Sequence, residues 1–446
     1  MNTAIRMNTM TETLRHATHP ETVRTTLNRE WDYLRNRNLR IETCSVHRAF
    51  PYKAGQYVVK YEFLLDDGKQ THIQPAFGEL VSENVEAYRR EIVTKLRKTR
   101  RGQIGRDQDT DLVAAIPSLS MLLRLPGMDE KLPGLILAHN HEHAQRHLSS
   151  LLGDAKDGVS SILSTTILNH RLGKRCILRA EQDSSNSSAN SVILRCLRQH
   201  DIKHRYNYEV MQALWEHGFN DTAKDAIRIP EPLQIIDALS TLIMEDVPGE
   251  MLGETTRWSL YRQAGLAGAA LGKLHHCPLQ VGKTYSIQEE LQMLAGWVRL
   301  TSQLRPDLRD ALQDAFTYVR GQLLKLPGIT PVLAHRDFYG KQILYDGEQT
   351  ILIDFDTLCH TDPALDIGNY LAHNIFSGLQ AGKHFNPVEH RLFLEAYGET
   401  CHLPPMHRID IWTQATLLRL ACLYALSTDC QHLIPGILGE IPAGLA

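Results

Sequence analysis

The sequence predicts an α+β protein in which a strand-rich first half precedes a mainly helical second half. Two observations carry that expectation. Runs of β-branched and aromatic residues bounded by turn signals recur up to about residue 250. Beyond that point apolar stripes at helical spacing take over. At 446 residues the chain exceeds one ordinary core, so two or three packing units are expected.

Taken in order, Leu14, Val23, Leu27, Trp31 and Leu34 recur at spacings that suit amphipathic helix between Thr11 and Arg40. The period then changes. Tyr57 to Leu65 (YVVKYEFLL) reads as a strand, and Asp66-Asp67-Gly68 after it is a hairpin signal. Val85 to Arg97 returns to helix, and the charged, glycine-containing stretch Lys98 to Thr110 suggests a boundary. The expected organisation is therefore an N-terminal accessory region over 1–105, a sheet-bearing lobe over 106–248 and a helical lobe over 249–446.

A second strand-rich block opens at Ile162, with strands expected at Cys176 to Ala180 and Ser191 to Leu197 around the polar loop Glu181 to Asn190. A helix follows from Tyr206 to His217. This order of strand, turn at Leu172-Gly173-Lys174, strand, loop, strand and helix echoes the stretch from Ala49 to Arg90 as a weak internal repeat. After Met244 to Gly249 come helical stripes at Trp258 to His275, Ile287 to Leu304 and Asp307 to Lys325. Short strands at Val332 to Ala334, Ile343 to Tyr345 and Thr350 to Ile353 interrupt the helices, which resume at Arg391 to Tyr397 and Trp412 to Leu426.

Forty-eight basic against fifty-one acidic residues leave a net charge of −3, which implies no nucleic-acid partner. No apolar stretch near the N-terminus has the length of a signal peptide or membrane span, so a cytoplasmic protein is expected. Eight cysteines without CxxC pairs read as reduced, mostly buried thiols. His139, His143 and His147 recur at i, i+4 and i+8, a spacing that could bind zinc or nickel; no Cys or acidic partner accompanies them, so a polar helix face is the commoner reading.

The chemistry concentrates between Ala334 and His373. Two acidic residues, Asp337 and Asp354, stand seventeen positions apart with an amide, Gln342, between them. Phosphoryl transfer needs alignment of the nucleophile and neutralisation of phosphate charge more than covalent help, hence a carboxylate near the acceptor hydroxyl and oxygen ligands for Mg²⁺. Asp337 opens a short loop and Gln342 lies where the chain re-enters a strand, so both can face one cavity. Asp354 follows the buried strand Thr350-Ile351-Leu352-Ile353, whose end would present its carboxylate as a hard oxygen ligand.

Three motifs here, His335-Arg336-Asp337-Phe338-Tyr339-Gly340-Lys341-Gln342, Leu352-Ile353-Asp354-Phe355-Asp356 and Asp362-Pro363-Ala364-Leu365-Asp366-Ile367-Gly368-Asn369, resemble the signature of the aminoglycoside phosphotransferase and choline kinase family. That signature is His-x-Asp-x-x-x-x-Asn, a strand ending in Ile-Asp-Trp/Phe, then Asp-Pro-x-x-Asp. Gln342 replaces the family's Asn, a departure also found in sugar kinases related to maltokinase. The resemblance extends from about Ile162 to the C-terminus and implies a bilobal protein-kinase-like fold using ATP or GTP with Mg²⁺. It implies Asp337 as the catalytic base or hydroxyl-orienting residue, Gln342 and Asp354 as metal ligands, and Asp366 as a structural partner of the catalytic loop.

On the nucleotide side the resemblance calls for a lysine on the third strand of the small lobe, where this sequence has Arg195. An arginine fork can still pair with phosphate oxygens. Glu209 would orient it, or is simply a solvated helix face. The hairpin at Leu172-Gly173-Lys174 would lie over the nucleotide, and Met244, Glu245 and Val247 would present backbone groups to adenine at the interlobe hinge or serve as a plain linker. The implied partner is a small-molecule hydroxyl acceptor: a sugar, an amino sugar or an aminoglycoside-like compound. Glu289, Glu290, Asp307, Asp310 and Asp314 lie on helices that could meet ammonium groups, and solvated helix surface explains them equally. His275 and His276 end a helix, where its dipole is reason enough for them. The competing readings are a catalytically idle relative and, less favoured, a protein kinase, which the missing glycine loop and the short span from Asp356 to Asp362 argue against. Oligomeric state is open.

Overall fold

A computed structural model describes residues 2–53, 56–82, 84–99, 109–152, 163–182, 191–199, 202–383 and 386–442. The charged stretch Lys98 to Thr110 and the loop Glu181 to Asn190 therefore fall largely outside the described residues. The chain divides into two compact units. One comprises Met1–Arg205, Leu233–Asp246 and Leu426–Gln431; the other comprises Tyr206–Pro232, Val247–Ala425 and His432–Ala446.

The first unit opens with helices Asn2–Ala17, Pro20–Glu30 and Asp32–Asn36, whose apolar stripe is fully committed: Leu14, Val23, Leu27, Trp31 and Leu34 are all buried. Strands β1 (Arg40–Lys53), β2 (Gln56–Asp66) and β3 (Thr71–Leu80) follow, then the helix Val85–Thr99, then β4 (Val113–Ile116) and β5 (Met121–Arg124). They form one antiparallel sheet of order β1-β2-β3-β5-β4, so the sheet of the N-terminal region is completed by strands beyond residue 105. Residues 426–431 belong to this unit and reach β1, where the Thr428 N–H donates to the Val46 carbonyl (2.9 Å).

A second five-stranded sheet lies in the same unit. Strands β6 (Leu163–Arg171), β7 (Arg175–Gln182) and β8 (Ser191–Leu197) lead into the helix Lys203–Glu216; β9 (Ile227–Arg228) belongs elsewhere, and β10 (Pro232–Ile236) and β11 (Thr241–Glu245) complete the order β10-β11-β8-β7-β6. Its core unites Cys176, Leu178, Ala180, Val192, Leu194 and Ile243 with Ala144, Leu148 and Leu152 of the helix His141–Leu152.

The two sheets repeat one another. Each has three antiparallel strands, a helix, and a short strand linked through one 3-10 turn to a last strand that inserts beside the third. The registers agree: Leu80 pairs with Met121 and Glu79 with Leu122 in the first, Cys196 with Thr241 and Arg195 with Leu242 in the second. The 3-10 turns Pro117–Leu119 and Asp237–Leu239 both end on a left-handed serine, Ser120 (φ 46°) and Ser240 (φ 46°). Each serine carbonyl accepts a 2.9 Å bond from the end of the third strand, from Val81 just past β3 or from Leu197, the last residue of β8. The echo anticipated from strand order is thus matched by register and turn geometry.

The second unit is mainly helical, with Leu260–His276, Ile287–Leu304, Arg309–Leu323, Pro363–Gln380, Pro387–Gly398 and Met406–Tyr424 as its long helices. Set among them are β12 (Glu250–Met251), β13 (Val332–Ala334), β14 (Ile343–Tyr345), β15 (Thr350–Leu352) and β16 (Cys359–Thr361). β12, β14, β15 and β9 make one small sheet and β13 and β16 another. Among the described residues, no helix is long and apolar enough to cross a membrane. All eight cysteines are free and six of them are buried.

Candidate active site

The loop from His335 to Gln342 leaves β13 and returns to β14 through the 3-10 turn Gly340–Gln342. Its backbone is held from several sides. The buried Asp366 carboxylate accepts the N–H groups of His335 and Arg336, both at 2.6 Å. The Thr357 hydroxyl donates to the His335 carbonyl (2.7 Å), and the Asn369 amide donates to the Phe338 carbonyl (2.8 Å). At the loop's end Gly340 meets Gly253 so closely that a Cβ on Gly340 would lie 2.7 Å from the Gly253 backbone. Arg336 consequently keeps a left-handed φ of 68°, a conformation unfavourable for a non-glycine residue that persists only when its surroundings enforce it.

Asp337 sits in the middle of this clamped loop, half-buried, and no described residue hydrogen-bonds its carboxylate. Its neighbours point elsewhere. His335 is fully buried against Phe338 and Phe355 and donates Nε2–H to the Ile353 carbonyl (2.9 Å). The Arg336 guanidinium lies over the Tyr285 ring at 3.7 Å, and the Tyr285 hydroxyl donates to the buried Glu290 (3.0 Å).

Gln342 and Asp354 are brought to adjacent strand ends. β14 pairs with β15 antiparallel, Ile343 facing Leu352, and the ladder continues one step further as the Ile353 N–H donates to the Gln342 carbonyl (3.0 Å). Asp354 follows with a left-handed φ of 67°, the second non-glycine residue of this kind at the site. The donor chemistry, a carboxylate and a side-chain amide oxygen, fits a hard divalent cation.

The residues expected to meet the nucleotide lie in both units. In the first, Arg195 is buried in β8 between Ile177 and Leu242 of its neighbouring strands. Met244 and Glu245 are half-buried at the end of β11, beside Ile193 and Val192. Asp246 is anchored by Arg179 Nε and by the Ser191 hydroxyl, both at 2.7 Å. In the second unit Val247 is half-buried and precedes β12, which pairs with β14.

Glu209 is exposed on the helix Lys203–Glu216. Asn207, two positions earlier, is buried and donates to Asp356 (2.7 Å). The carboxylates considered for an acceptor cleft are occupied locally in three cases. Glu289 closes a capping box with Ser286, whose hydrogen bonds hold it below the usual carboxylate range; Glu290 accepts from Tyr285; and Asp307 pairs with Arg305 (2.6 Å). Asp310 and Asp314 are exposed.

Two further expectations are corrected. His275 does more than end a helix: it is buried, donates Nε2–H to Asp366 (3.2 Å), and meets the Tyr397 hydroxyl through Nδ1 (2.9 Å). The histidine run does not lie on one helix, because Asn140 ends the helix Ile136–His139 and caps the next by accepting the His143 N–H (2.9 Å). Among the described residues no group of three or more His, Cys, Asp or Glu is placed to hold a metal ion.

Three contacts of the loop and of its anchor Asp366 were not anticipated. Asn369 is the one a sequence could have offered, since it lies three residues after Asp366 and so shares its helical face. Nothing in the sequence marks Thr357 as a partner of this loop or His275 as a partner of Asp366.

Residues 195–400 match the profile of the phosphotransferase enzyme family. No curated protein matches the chain. Among solved structures it is similar to a choline kinase from Streptococcus pneumoniae (13% identity, TM-score 0.46, covering 68% of this chain and 99% of that one). It is also similar to an ethanolamine kinase from Plasmodium vivax (15%, 0.45, 70% and 88%) and to an aminoglycoside-3'-phosphotransferase of type VIII (14%, 0.42, 62% and 98%).

Proposed function

We propose that this chain, whose residues 195–400 match the profile of the phosphotransferase enzyme family, is a cytoplasmic kinase that transfers a phosphoryl group from ATP to a hydroxyl of a sugar, amino sugar or aminoglycoside-like molecule. The observation that carries the reading is the Asp337 carboxylate, without a hydrogen-bond partner among the described residues at the centre of a loop whose backbone is fixed on both sides of it. A residue held rigidly and left uncommitted is ready to bind something else. Asp337 would orient the acceptor hydroxyl and take its proton late, because the phosphoryl transition state is loose and asks little of a base early.

Gln342 and Asp354 would hold Mg²⁺, which when bound with the nucleotide neutralises charge on its phosphates. Arg195 would pair with phosphate oxygens, and the backbone of Met244, Glu245 and Val247 would meet the adenine. Glu209, being exposed, keeps at most a role that begins when nucleotide binds. Purified protein screened for ADP release against sugars, aminoglycosides, choline and homoserine tests the activity. No release with any acceptor, alongside measurable Mg-ATP binding, would favour an idle nucleotide-binding relative.

The metal assignment has its own test. Isothermal titration should give an ATP affinity that requires Mg²⁺, and Asp354→Ala should weaken it by on the order of tenfold to a hundredfold, the range seen when metal-site support is removed. Equal, Mg²⁺-independent affinity in both proteins would sink the assignment.

A further inference from the structure

The two repeated sheets differ at the position that the proposed function assigns to the nucleotide. The register that puts Arg195 opposite Leu242 puts Glu79 opposite Leu122, and the register that puts Met244 opposite Ile193 puts Arg124 opposite Phe77. Glu79 and Arg124 are fully buried and ion-paired to each other. Arg124 also pairs with Glu130 (2.6 Å), and Tyr88 donates its hydroxyl to Glu79 (2.6 Å). Burial opposes the charge on Arg124, but Glu79 and Glu130 outweigh it and hold the guanidinium more firmly protonated. Where the proposed function assigns Arg195 of the second sheet to the phosphates, the matching position of the first holds Glu79 in a closed ion cluster.

That closed cluster fixes the segment following β5. Arg124 holds Glu130 by its carboxylate and the Met128 carbonyl by a longer bond (3.4 Å), and Asp129 lies between them. Asp129 is buried and turns to the second sheet. Its Oδ2 accepts the N–H of Gly173 (2.5 Å) at the tip of the β6–β7 hairpin and lies 3.2 Å from His170 Nε2 in β6. His170 Nδ1 accepts the Gly127 N–H (3.2 Å), so the other ring nitrogen carries the proton toward Asp129. The Tyr52 ring, at the end of β1, closes against the same glycine: a Cβ on Gly173, which has φ +66°, would lie 2.5 Å from it. Phe77 of β3 packs edge-on to the His170 ring.

We infer that Asp129 is a positioning residue for the nucleotide, through which the first sheet holds the β6–β7 hairpin in the place where it covers the phosphates. The inference rests on the reading of this chain as an ATP-dependent kinase. It makes the N-terminal sheet a repeat that is closed by its own ion cluster and braces the hairpin of its sister.

The test reads nucleotide binding directly and needs no acceptor. Titration with the Mg²⁺ complex of the non-hydrolysable analogue AMP-PNP should show affinity lowered by about tenfold in Asp129→Asn, the scale of a lost charge-assisted hydrogen bond. Hydrogen exchange should quicken over residues 169–175 and stay unchanged in the helix Pro363–Gln380. Should Asp129→Asn not fold, Tyr52→Leu leaves the Asp129 contacts in place and is expected to lower affinity by a few-fold with the same local exchange signature. A folded variant that binds AMP-PNP as the wild type does would overturn the brace while leaving the kinase reading intact. Absence of binding by the wild-type protein would overturn both.

Discussion

Asp337→Asn is expected to lose turnover by about a hundredfold to ten-thousandfold at nearly unchanged ATP affinity, the usual range for removing a positioned base. The geometry makes this a clean experiment. The loop is held by Asp366, Thr357 and Asn369 through backbone atoms of His335, Arg336 and Phe338, and none of these bonds uses the Asp337 side chain. The amide has the shape of the carboxylate, so thermal stability should stay within about 0.5 kcal/mol of wild type, as for substitutions away from structural contacts. With the acceptor identified, kcat measures the loss and titration with Mg-ATP checks the binding. Retention of more than about a third of wild-type turnover would exclude a base role at this position. Asp356, which accepts from Asn207, would then be examined next. Asp362 would not, because it caps the helix Pro363–Gln380 and takes Arg408 (2.7 Å) and Trp412 (2.8 Å) on its second oxygen.

What the sequence made legible follows the strength of the local signal. The strand β8 and the short strands around Asp337 and Asp354 were placed closely, because buried β-branched runs ended by turn residues specify them without reference to the rest of the chain. Strands β4 and β5 were not placed. Met121–Arg124 is only four residues long and carries a buried arginine, and nothing local announces that Glu79, 45 positions away, neutralises it. The repeat was visible only as an order of elements, although the turns themselves carry it in letters: Ile116-Pro-Ser-Leu-Ser-Met-Leu-Leu against Ile236-Asp-Ala-Leu-Ser-Thr-Leu-Ile. Four matches in eight are easily passed over until the shared left-handed serine shows why Leu-Ser recurs.

The candidate site divides in the same way. Asp337, Gln342 and Asp354 were found because their spacing across one hairpin is a local property. The sequence points to Glu209 because a glutamate is the expected ion-pair partner, and it gives no sign of Asn207, which helix phase, fixed by packing, buries instead. His275 could not be tied to Asp366 by inspection, since 91 positions separate them and a histidine at a helix end has a sufficient local explanation.

The largest stability effect is expected at Asp366. Its carboxylate is fully buried and accepts three hydrogen bonds, from the backbone of His335 and Arg336 and from His275. Asp366→Ala would leave two backbone N–H groups and the Nε2–H of His275 without their acceptor, a loss of about 3–5 kcal/mol on the scale of breaking a buried charged interaction. For a unit of about 200 residues this corresponds to a fall in Tm of roughly 10 °C, measurable by calorimetry. The consequence for function follows from Arg336. Its left-handed backbone is stabilised by the bond from its N–H to Asp366, so without that bond the residue relaxes toward ordinary φ and carries Asp337 with it. Asp366→Asn retains one acceptor oxygen and should fall between the two, losing turnover more steeply than stability. The pattern separates the two aspartates: Asp337→Asn should remove activity at unchanged Tm, and Asp366→Ala should lower both. A Tm for Asp366→Ala within about 2 °C of wild type, less than the shift expected from 1 kcal/mol in a unit this size, would mean that the loop is held by its other contacts and that Asp366 is not its anchor.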